Sequence, residues 1–365
     1  MSTTTDLLDA LVSAVAAGRR VALATVVAVH GSAPLPVGSA MLVIDGDTVL
    51  GAVSGGCVES AVHDEALRVA ATGQPVLLAF GPAEHPYEVG LTCGGTLSIF
   101  VEPVRASSLP GWRTVAERCR SGRSAARTVV VSGPEADLGR ETFAEDAADT
   151  DRAEPGVQVR DGVEVFVQVW PAAPRMIIVG ADGLAGALTD QARLLGYAVT
   201  VCDPRPVFAT AARFPAADVV RAWPDRHLRD EAAAGRCDDR TVVCVLTHDS
   251  RVDVPVIRVA LGLPALAFVG ATGSRATCAD RERRLLAAGC TPADLARLRT
   301  PLGLDLGGRR PEEAAVSILA EILADGHERR GERLHTTAGP LHGSSDRVAA
   351  AGAGATRSPT GCVAD

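Results

Sequence analysis

At 365 residues, with 47% apolar but only 3% aromatic side chains and a formal net charge of -8, the chain is long enough for two domains. It is too acidic, and too poor in Tyr and Trp, for a nucleic-acid surface built on stacking and phosphate neutralisation. Nine cysteines, an odd number without CxxC pairs or a CxxH cluster, argue against a disulfide framework or a structural zinc site and fit a reducing cytoplasm.

The N-terminus carries Asp6 and Asp9 and no basic residue before its apolar run, unlike a signal peptide. Leu7, Leu8, Leu11, Val12 and Val15 recur at helical spacing up to Gly18. Val21 to Val29 then reads as a buried strand, too short to span a membrane. The strand ends in the turn-rich run His30-Gly31-Ser32-Ala33-Pro34-Leu35-Pro36-Val37-Gly38-Ser39. Met41 to Ile44 and Val49 to Val53 flank Asp45-Gly46-Asp47 as a hairpin that delivers the chain into Gly55-Gly56-Cys57. Val58, Ala61, Val62, Ala66 and Val69 follow at helical spacing, which predicts Cys57 in the first turn of a helix ending near Gly73.

Two glycines in succession allow positive φ and let a ligand approach the amides closely, a geometry suited to a bulky anionic guest. A helix N-terminus favours a thiolate at Cys57; Glu59 opposes it electrostatically, yet its carboxylate offers an acceptor for the thiol proton. Val76 to Phe80 and Thr96 to Val101 are further strands, the second leaving directly from Thr92-Cys93-Gly94-Gly95. Both thiol loops are therefore expected on one rim of a small α/β domain. The structural alternative is that Cys57 and Cys93 are small buried hydrophobes and the glycines only turn the chain.

From Pro103 to Pro174 the pattern weakens. Trp112 to Cys119 reads as helix and Thr128 to Val131 as strand, whereas Pro134 to Pro155 is rich in Asp, Glu and Ala. Val163 to Val169 is β-rich though it alternates poorly, and Pro171-Ala172-Ala173-Pro174 punctuates a boundary. Residues 105–174 are accordingly expected to be an embellishment and linker between a first domain, 1–104, and a second, 175–329. The second begins with a βαβ unit: strand Met176 to Val179, helix Leu184 to Leu195, strand Ala198 to Cys202. Strands at Asp218 to Arg221, Thr241 to Leu246 and Ala265 to Val269 alternate with helices near Arg226 to Ala234, Val252 to Leu261 and Asp280 to Ala288, the pattern of a Rossmann-like doubly wound parallel sheet. A last amphipathic helix, Pro311 to Ala324, opens with proline and with Glu312 and Glu313. Residues 330–365 read as a disordered tail containing Cys362.

The first turn of this domain is Gly180-Ala181-Asp182-Gly183-Leu184-Ala185-Gly186. A dinucleotide fingerprint places a glycine against the pyrophosphate where this chain has Asp182, so NAD(P) binding is not expected, although Asp203 stands where a ribose-binding acid would. Gly180, Gly183 and Gly186 still leave room for a helix that binds an anion. Thr247-His248-Asp249-Ser250 and Gly270-Ala271-Thr272-Gly273-Ser274-Arg275 also follow strands and face the strand ends. His248 with Asp249 reads either as a general base with a charged neighbour or as a helix cap, and Arg275 either as an anion fork or as a surface charge.

Laid out this way, residues Leu7 to about Ala324 resemble the XdhC or CoxI family of accessory proteins for xanthine dehydrogenase and aerobic carbon-monoxide dehydrogenase. The resemblance rests on Gly31-Ser32-Ala33-Pro34 with Pro36 and Gly38, on Ser54-Gly55-Gly56-Cys57-Val58-Glu59, and on Cys93-Gly94-Gly95-Thr96 running into Val101-Glu102-Pro103. In the second domain it rests on Thr247-His248-Asp249, Gly270 to Arg275, and Pro301-Leu302-Gly303-Leu304-Asp305-Leu306-Gly307 followed by Pro311-Glu312-Glu313-Ala314. It implies a cytoplasmic molybdenum-cofactor chaperone more than a catalyst. Such a protein binds the pyranopterin cofactor transiently, supports its sulfurated form and hands it to an apo molybdenum hydroxylase. A cysteine desulfurase and a second copy of the chain are the other partners it implies, with neither nucleic acid nor membrane. The positions expected to meet the cofactor, taken from these motifs and from the turn and acid of the Rossmann-like domain together, are Gly55, Gly56, Cys57, Glu59, Cys93, Gly94, Gly95, Gly180, Gly183, Asp203, His248, Asp249, Ser274 and Arg275, with Cys57 and Cys93 as molybdenum or sulfur contacts. The competing readings are an NAD(P)-dependent oxidoreductase using His248, which Asp182 opposes, and a sensor in which Cys57 and Cys93 form a regulatory disulfide.

Overall fold

A computed structural model describes residues 4–81, 91, 94–144, 150 and 153–337. Its contacts group the chain into two units, one up to Ala172 and one from Ala173 to Ala338.

In the first unit the N-terminal apolar pattern becomes α1 (Thr4–Ala16), followed by β1 (Val21–His30), the hairpin β2 (Ala40–Ile44) and β3 (Thr48–Gly51), α2 (Glu59–Thr72), β4 (Val76–Phe80) and β5 (Thr96–Pro103). The strands form an antiparallel sheet in the order β3-β2-β1-β5-β4. β1 is apolar without alternation because both its faces are covered. Ala22, Ala24 and Val26 pack with Val62, Ala66 and Val69 of α2, whereas Val21 and Leu23 pack with Leu8, Leu11 and Val15 of α1.

The stretch read as an embellishment on the first domain and a linker forms regular elements through most of its described length. α3 (Leu109–Arg120), β6 (Ala125–Ser132), β7 (Glu141–Phe143), β8 (Gly156–Arg160) and β9 (Val163–Trp170) build a four-stranded antiparallel sheet, β7-β6-β9-β8, and Trp112, Val115 and Ala116 of α3 share a core with α1. A buried cation ties it down. The Arg127 guanidinium donates to Glu102 at 2.6 Å, to Glu141 at 2.9 Å and to Gln168 at 3.0 Å, and lies 4.4 Å from the Trp112 ring centre. These polar residues at core positions interrupt the apolar alternation by which strands are recognised, which is why the segment reads weakly.

The second unit has β10 (Arg175–Val179), α4 (Gly183–Leu194), β11 (Ala198–Cys202), β12 (Asp218–Val220), α5 (Pro224–Ala233), β13 (Thr241–Val245), α6 (Ser250–Leu261), β14 (Phe268–Ala271), α7 (Arg275–Ala287), α8 (Pro292–Ala296), β15 (Leu298–Arg299) and α9 (Pro311–Gly326). All six strands are parallel in the order β12-β11-β10-β13-β14-β15. The chain winds outward in both directions from β10, so the topological switch point lies between β10 and β13. One face of the sheet buries Ala185, Leu188 and Ala192 of α4 with Ala315, Ile318 and Leu319 of α9; the other buries Leu228 of α5 with Val256 and Ile257 of α6.

β14 starts three residues later than its apolar run, so Gly270 and Ala271 end the strand rather than open the loop. A Cβ on Gly270 would collide with Leu302 Cδ1, which gives that glycine a packing role. Of the expected tail, Leu334–Thr336 forms a 3-10 turn, and 338–365 with Cys362 lie outside the described residues. No helix among the described residues is long and apolar enough to cross a membrane.

Candidate functional site

In the first unit His30 pairs with Thr96, so the loop leaving β1 and the Gly94-Gly95 turn entering β5 share one end of the sheet. They touch: a Cβ on Gly95 would collide with the Ser32 carbonyl oxygen, and one on Gly55 would stand 3.7 Å from Pro34 Cβ. The glycine loops therefore gather on one rim around Ser32 to Pro34. Cys93 and Thr92 lie outside the described residues.

Gly55 and Gly56 have positive φ, 75° and 121°, and the amides from Val53 to Gly56 turn toward a common anion. That anion belongs to the chain. Glu59 Oε1 accepts from the amides of Val53 (3.3 Å), Ser54 (2.8 Å) and Gly55 (2.8 Å), and Oε2 accepts from the Gly56 amide (2.7 Å) and the Ser54 hydroxyl (2.5 Å). Ser54 Oγ in turn accepts from the amides of Cys57 (3.1 Å) and Val58 (3.0 Å). Burial works against the Glu59 charge, but the Ser54 hydroxyl and the loop amides outweigh it and pull the carboxyl down to about 2. So acidic a group, with both oxygens engaged, is a poor acceptor for a thiol proton. The helix itself begins at Glu59 with Val58 as its cap, so Cys57 stands just before the first turn rather than in it. Its half-buried side chain packs against the core that holds Val53, Val58, Val62, Leu91 and Leu97.

In the second unit a cavity of about 780 Å³ opens at the carboxyl ends of β10, β11 and β13, lined by Gly180 to Asp182, Cys202 to Arg205, Trp223 and Pro224, and Leu246 to Val252. Open α/β sheets place ligands there. Gly180 (φ 110°) is required, since a Cβ would stand 2.7 Å from Thr247 Cγ2. Gly183 opens α4, and a Cβ on Gly186 would meet nothing within 4 Å, so the other two glycines are not demanded by packing. Asp182 caps α4, its Oδ1 accepting from the Ala185 amide at 2.9 Å. Asp203, 1% exposed, accepts from the Ala181 amide at 3.0 Å and takes the Arg205 fork at 3.0 and 2.7 Å. Burial raises the pKa of Asp203, but the Arg205 bonds and Ala181 outweigh it and leave the carboxyl below its usual range.

His248 is exposed on the cavity wall, and its expected partner is engaged elsewhere. Asp249 caps α6 by accepting from the Arg251 amide at 2.9 Å and binds the Arg251 guanidinium at 2.7 Å, which holds its carboxyl at about 2. Ser274 caps α7 through the Thr277 amide at 3.1 Å, and exposed Arg275 is the first residue of that helix; neither lines the cavity. Beneath the loops runs a buried pair that sequence reading missed. Arg281 donates to Asp253 at 2.9 Å, to the Thr272 carbonyl at 2.8 Å and to Thr300 Oγ1 at 3.1 Å, while Thr247 donates to Asp253, so one guanidinium fastens three strand-end loops. A signal was present in Arg281 falling four residues before Leu285 on the apolar side of α7. No group of three or more His, Cys, Asp or Glu side chains among the described residues is arranged to hold a metal ion.

Strand order, switch-point cavity and glycine turn define the second unit as a Rossmann-type domain, which follows an antiparallel α/β unit in the chain. Residues 176–322 match the XdhC Rossmann domain, and residues 14–81 match the model of the XdhC and CoxI family. The chain belongs to that family. It is 27% identical over 323 residues to a probable xanthine dehydrogenase subunit of Bacillus subtilis (strain 168), covering 82% of this chain and 92% of that one. It is 25% identical over 318 residues to the molybdenum cofactor insertion chaperone PaoD of Escherichia coli (strain K12), covering 86% of each. A solved protein of Bacillus halodurans, named a xanthine dehydrogenase, shares the fold with a TM-score of 0.70 at 22% identity, over 89% of this chain and 96% of that one.

Proposed function

We propose that this protein is an accessory factor for a molybdenum enzyme: it binds molybdenum cofactor transiently as cargo, supports its sulfurated form and delivers it to an apo molybdenum hydroxylase of the xanthine or carbon-monoxide dehydrogenase type. The observation that carries this reading is the family match in both units, joined by a relative named for molybdenum cofactor insertion. The rim of the first unit fits such a cargo chemically. Cys57 offers a soft sulfur donor, of the kind that suits thiophilic metals and sulfur exchange, in a loop whose shape is set by Ser54 and Glu59. Because Glu59 engages the loop amides, the thiol rather than the amides is the contact offered there. Cys93 is the second proposed contact, a cysteine desulfurase the source of sulfur, and a second copy of the chain a further partner.

The test is reconstitution of an apo molybdenum hydroxylase with cofactor in the presence of wild type, Cys57→Ser or Cys93→Ser. Bound pterin is followed by the fluorescence of its oxidised form. Wild type should copurify with pterin and raise client activity, and Cys57→Ser should lower both while its melting temperature stays close to wild type. Absence of pterin from wild type, with no gain in client activity, would sink the chaperone reading. Full activation by Cys57→Ser would remove the thiol from it.

A further inference from the structure

A Rossmann-type domain implies a dinucleotide, and the cavity at the switch point of the second unit is large enough for one. Its polar groups do not fit. In that fold the pyrophosphate rests on the free amides at the start of the helix after the first strand, close against a glycine. Here the Asp182 carboxylate takes that place and accepts from the Ala185 amide at 2.9 Å. The acid that would meet the ribose, Asp203, is 1% exposed and receives the Ala181 amide and the Arg205 fork. The cavity's other guanidinium, Arg251, is held on Asp249 at 2.7 Å. Three carboxylates against two guanidiniums line the cavity, and both guanidiniums are neutralised in place.

What remains for a guest is flat and largely uncharged. Trp223 lines the wall with 43% of its surface exposed, Pro204 and Pro224 flank it, and the Arg205 guanidinium lies 4.5 Å from the Phe208 ring centre. His248 supplies an exposed imidazole on the same wall. Indole and guanidinium planes stack on heteroaromatic rings without reading phosphate.

We propose that this cavity takes an unphosphorylated planar heterocycle, of nucleoside size, and that Asp182 is the specificity-determining residue that turns phosphorylated forms away. A phosphate within about 4 Å of this carboxylate meets like-charge repulsion worth about 100-fold in affinity. The inference concerns a cavity wholly within the second unit and does not depend on the cargo reading for Cys57.

Binding of adenosine, AMP and NADH to the full chain tests it, by calorimetry and by quenching of tryptophan fluorescence, in wild type, Asp182→Asn and Asp182→Gly. Asparagine keeps the oxygen that caps α4 and removes the charge, and glycine is a tolerated cap that also opens the approach. Wild type should bind adenosine and bind AMP and NADH more weakly. Asp182→Asn should bring AMP level with adenosine. Asp182→Gly should make AMP at least about tenfold tighter than adenosine, leaving adenosine unchanged, with melting curves near wild type for both variants. Failure of wild type to bind adenosine, micromolar binding of NADH by wild type, or an AMP-to-adenosine ratio that ignores both substitutions would each overturn it.

Discussion

The Glu59 clamp makes the sharpest test of how the thiol rim is built. Replacing Glu59 by Gln keeps volume and one acceptor oxygen but turns the other into a donor, which then faces the Gly56 amide and the Ser54 hydroxyl instead of accepting from them. A carboxyl pulled down to about 2 sits about two units below its free value. At 1.36 kcal/mol per unit that is a ceiling of about 3 kcal/mol, which solvent screening of a half-buried group brings to about 1.5 kcal/mol. For a unit of this size the loss corresponds to about 4 °C in melting temperature. The sign follows from a depressed acid: the stabilisation is complete above the unfolded value near pH 4.3 and disappears as pH falls through about 2. Melting of wild type and Glu59→Gln, read by tryptophan fluorescence, should therefore differ at pH 7 and differ by less than half as much at pH 3. Peptide-resolved alkylation of Cys57 should be faster in the variant as the loop loosens. A gap that is the same at both pH values, or absent at pH 7, would show that the carboxylate charge is not what holds the loop.

Arg127→Ala should cost about 4 kcal/mol in urea unfolding, because it leaves buried Glu102 and partly buried Glu141 without their cation. Burial already pushes the Glu102 carboxyl up, so pairing Arg127→Met with Glu102→Gln should recover much of the loss. Gly180→Ala should destabilise the second unit by about 2 kcal/mol, through its positive φ and the approach to Thr247 Cγ2. Adding Thr247→Ser removes that methyl and should restore only the steric part, as measured by the melting of the second unit.

The parallel sheet was legible because its strands are short apolar runs separated by helical periods, and nothing polar interrupts β10 or β13. The sheet of β6 to β9 was legible only in part, as a strand at Thr128 to Val131 and a β-rich run at Val163 to Val169, because Arg127 and Gln168 occupy core positions and their partner Glu102 lies in another sheet, a pairing no local pattern reveals. Of the candidate site, the glycine turns and the shared rim could be read from spacing alone. Their occupants could not. Glu59 sits next to the glycines in sequence, yet only the fold shows its side chain turned back onto amides that precede it by three to six residues. Asp249 and Ser274 proved to be helix caps; for Asp249 its position just before an apolar helix already allowed that outcome, whereas the charged first turns of α7 hid its start, five residues ahead of the helix expected from Asp280.

The two units share one device. In each, a glycine turn beside a helix start creates amides that attract an anion, and in each a carboxylate of the chain supplies it: Glu59 on the loop of Gly55 and Gly56, Asp182 on α4. An internal carboxylate adds no entropy of association, so it holds the loop in shape before any guest arrives. It also excludes a competing anion, since a phosphate entering the same amides must displace a bonded carboxylate and meet its charge. A turn guarded by its own carboxylate selects by what stands beside its amides. In the first unit that neighbour is the sulfur of Cys57, and in the second it is the flat wall at Trp223. Soft-donor contact at one place and stacking at the other are thus what these loops can offer a ligand. The double variant Glu59→Gln with Asp182→Asn should accordingly gain phosphate binding at the second unit only. Glutamine in the first still engages several loop amides, whereas asparagine in the second accepts from the Ala185 amide and leaves the rest of the helix start open to a guest. Phosphate titration by calorimetry reads this directly, and equal gains from the two single substitutions would refute the distinction.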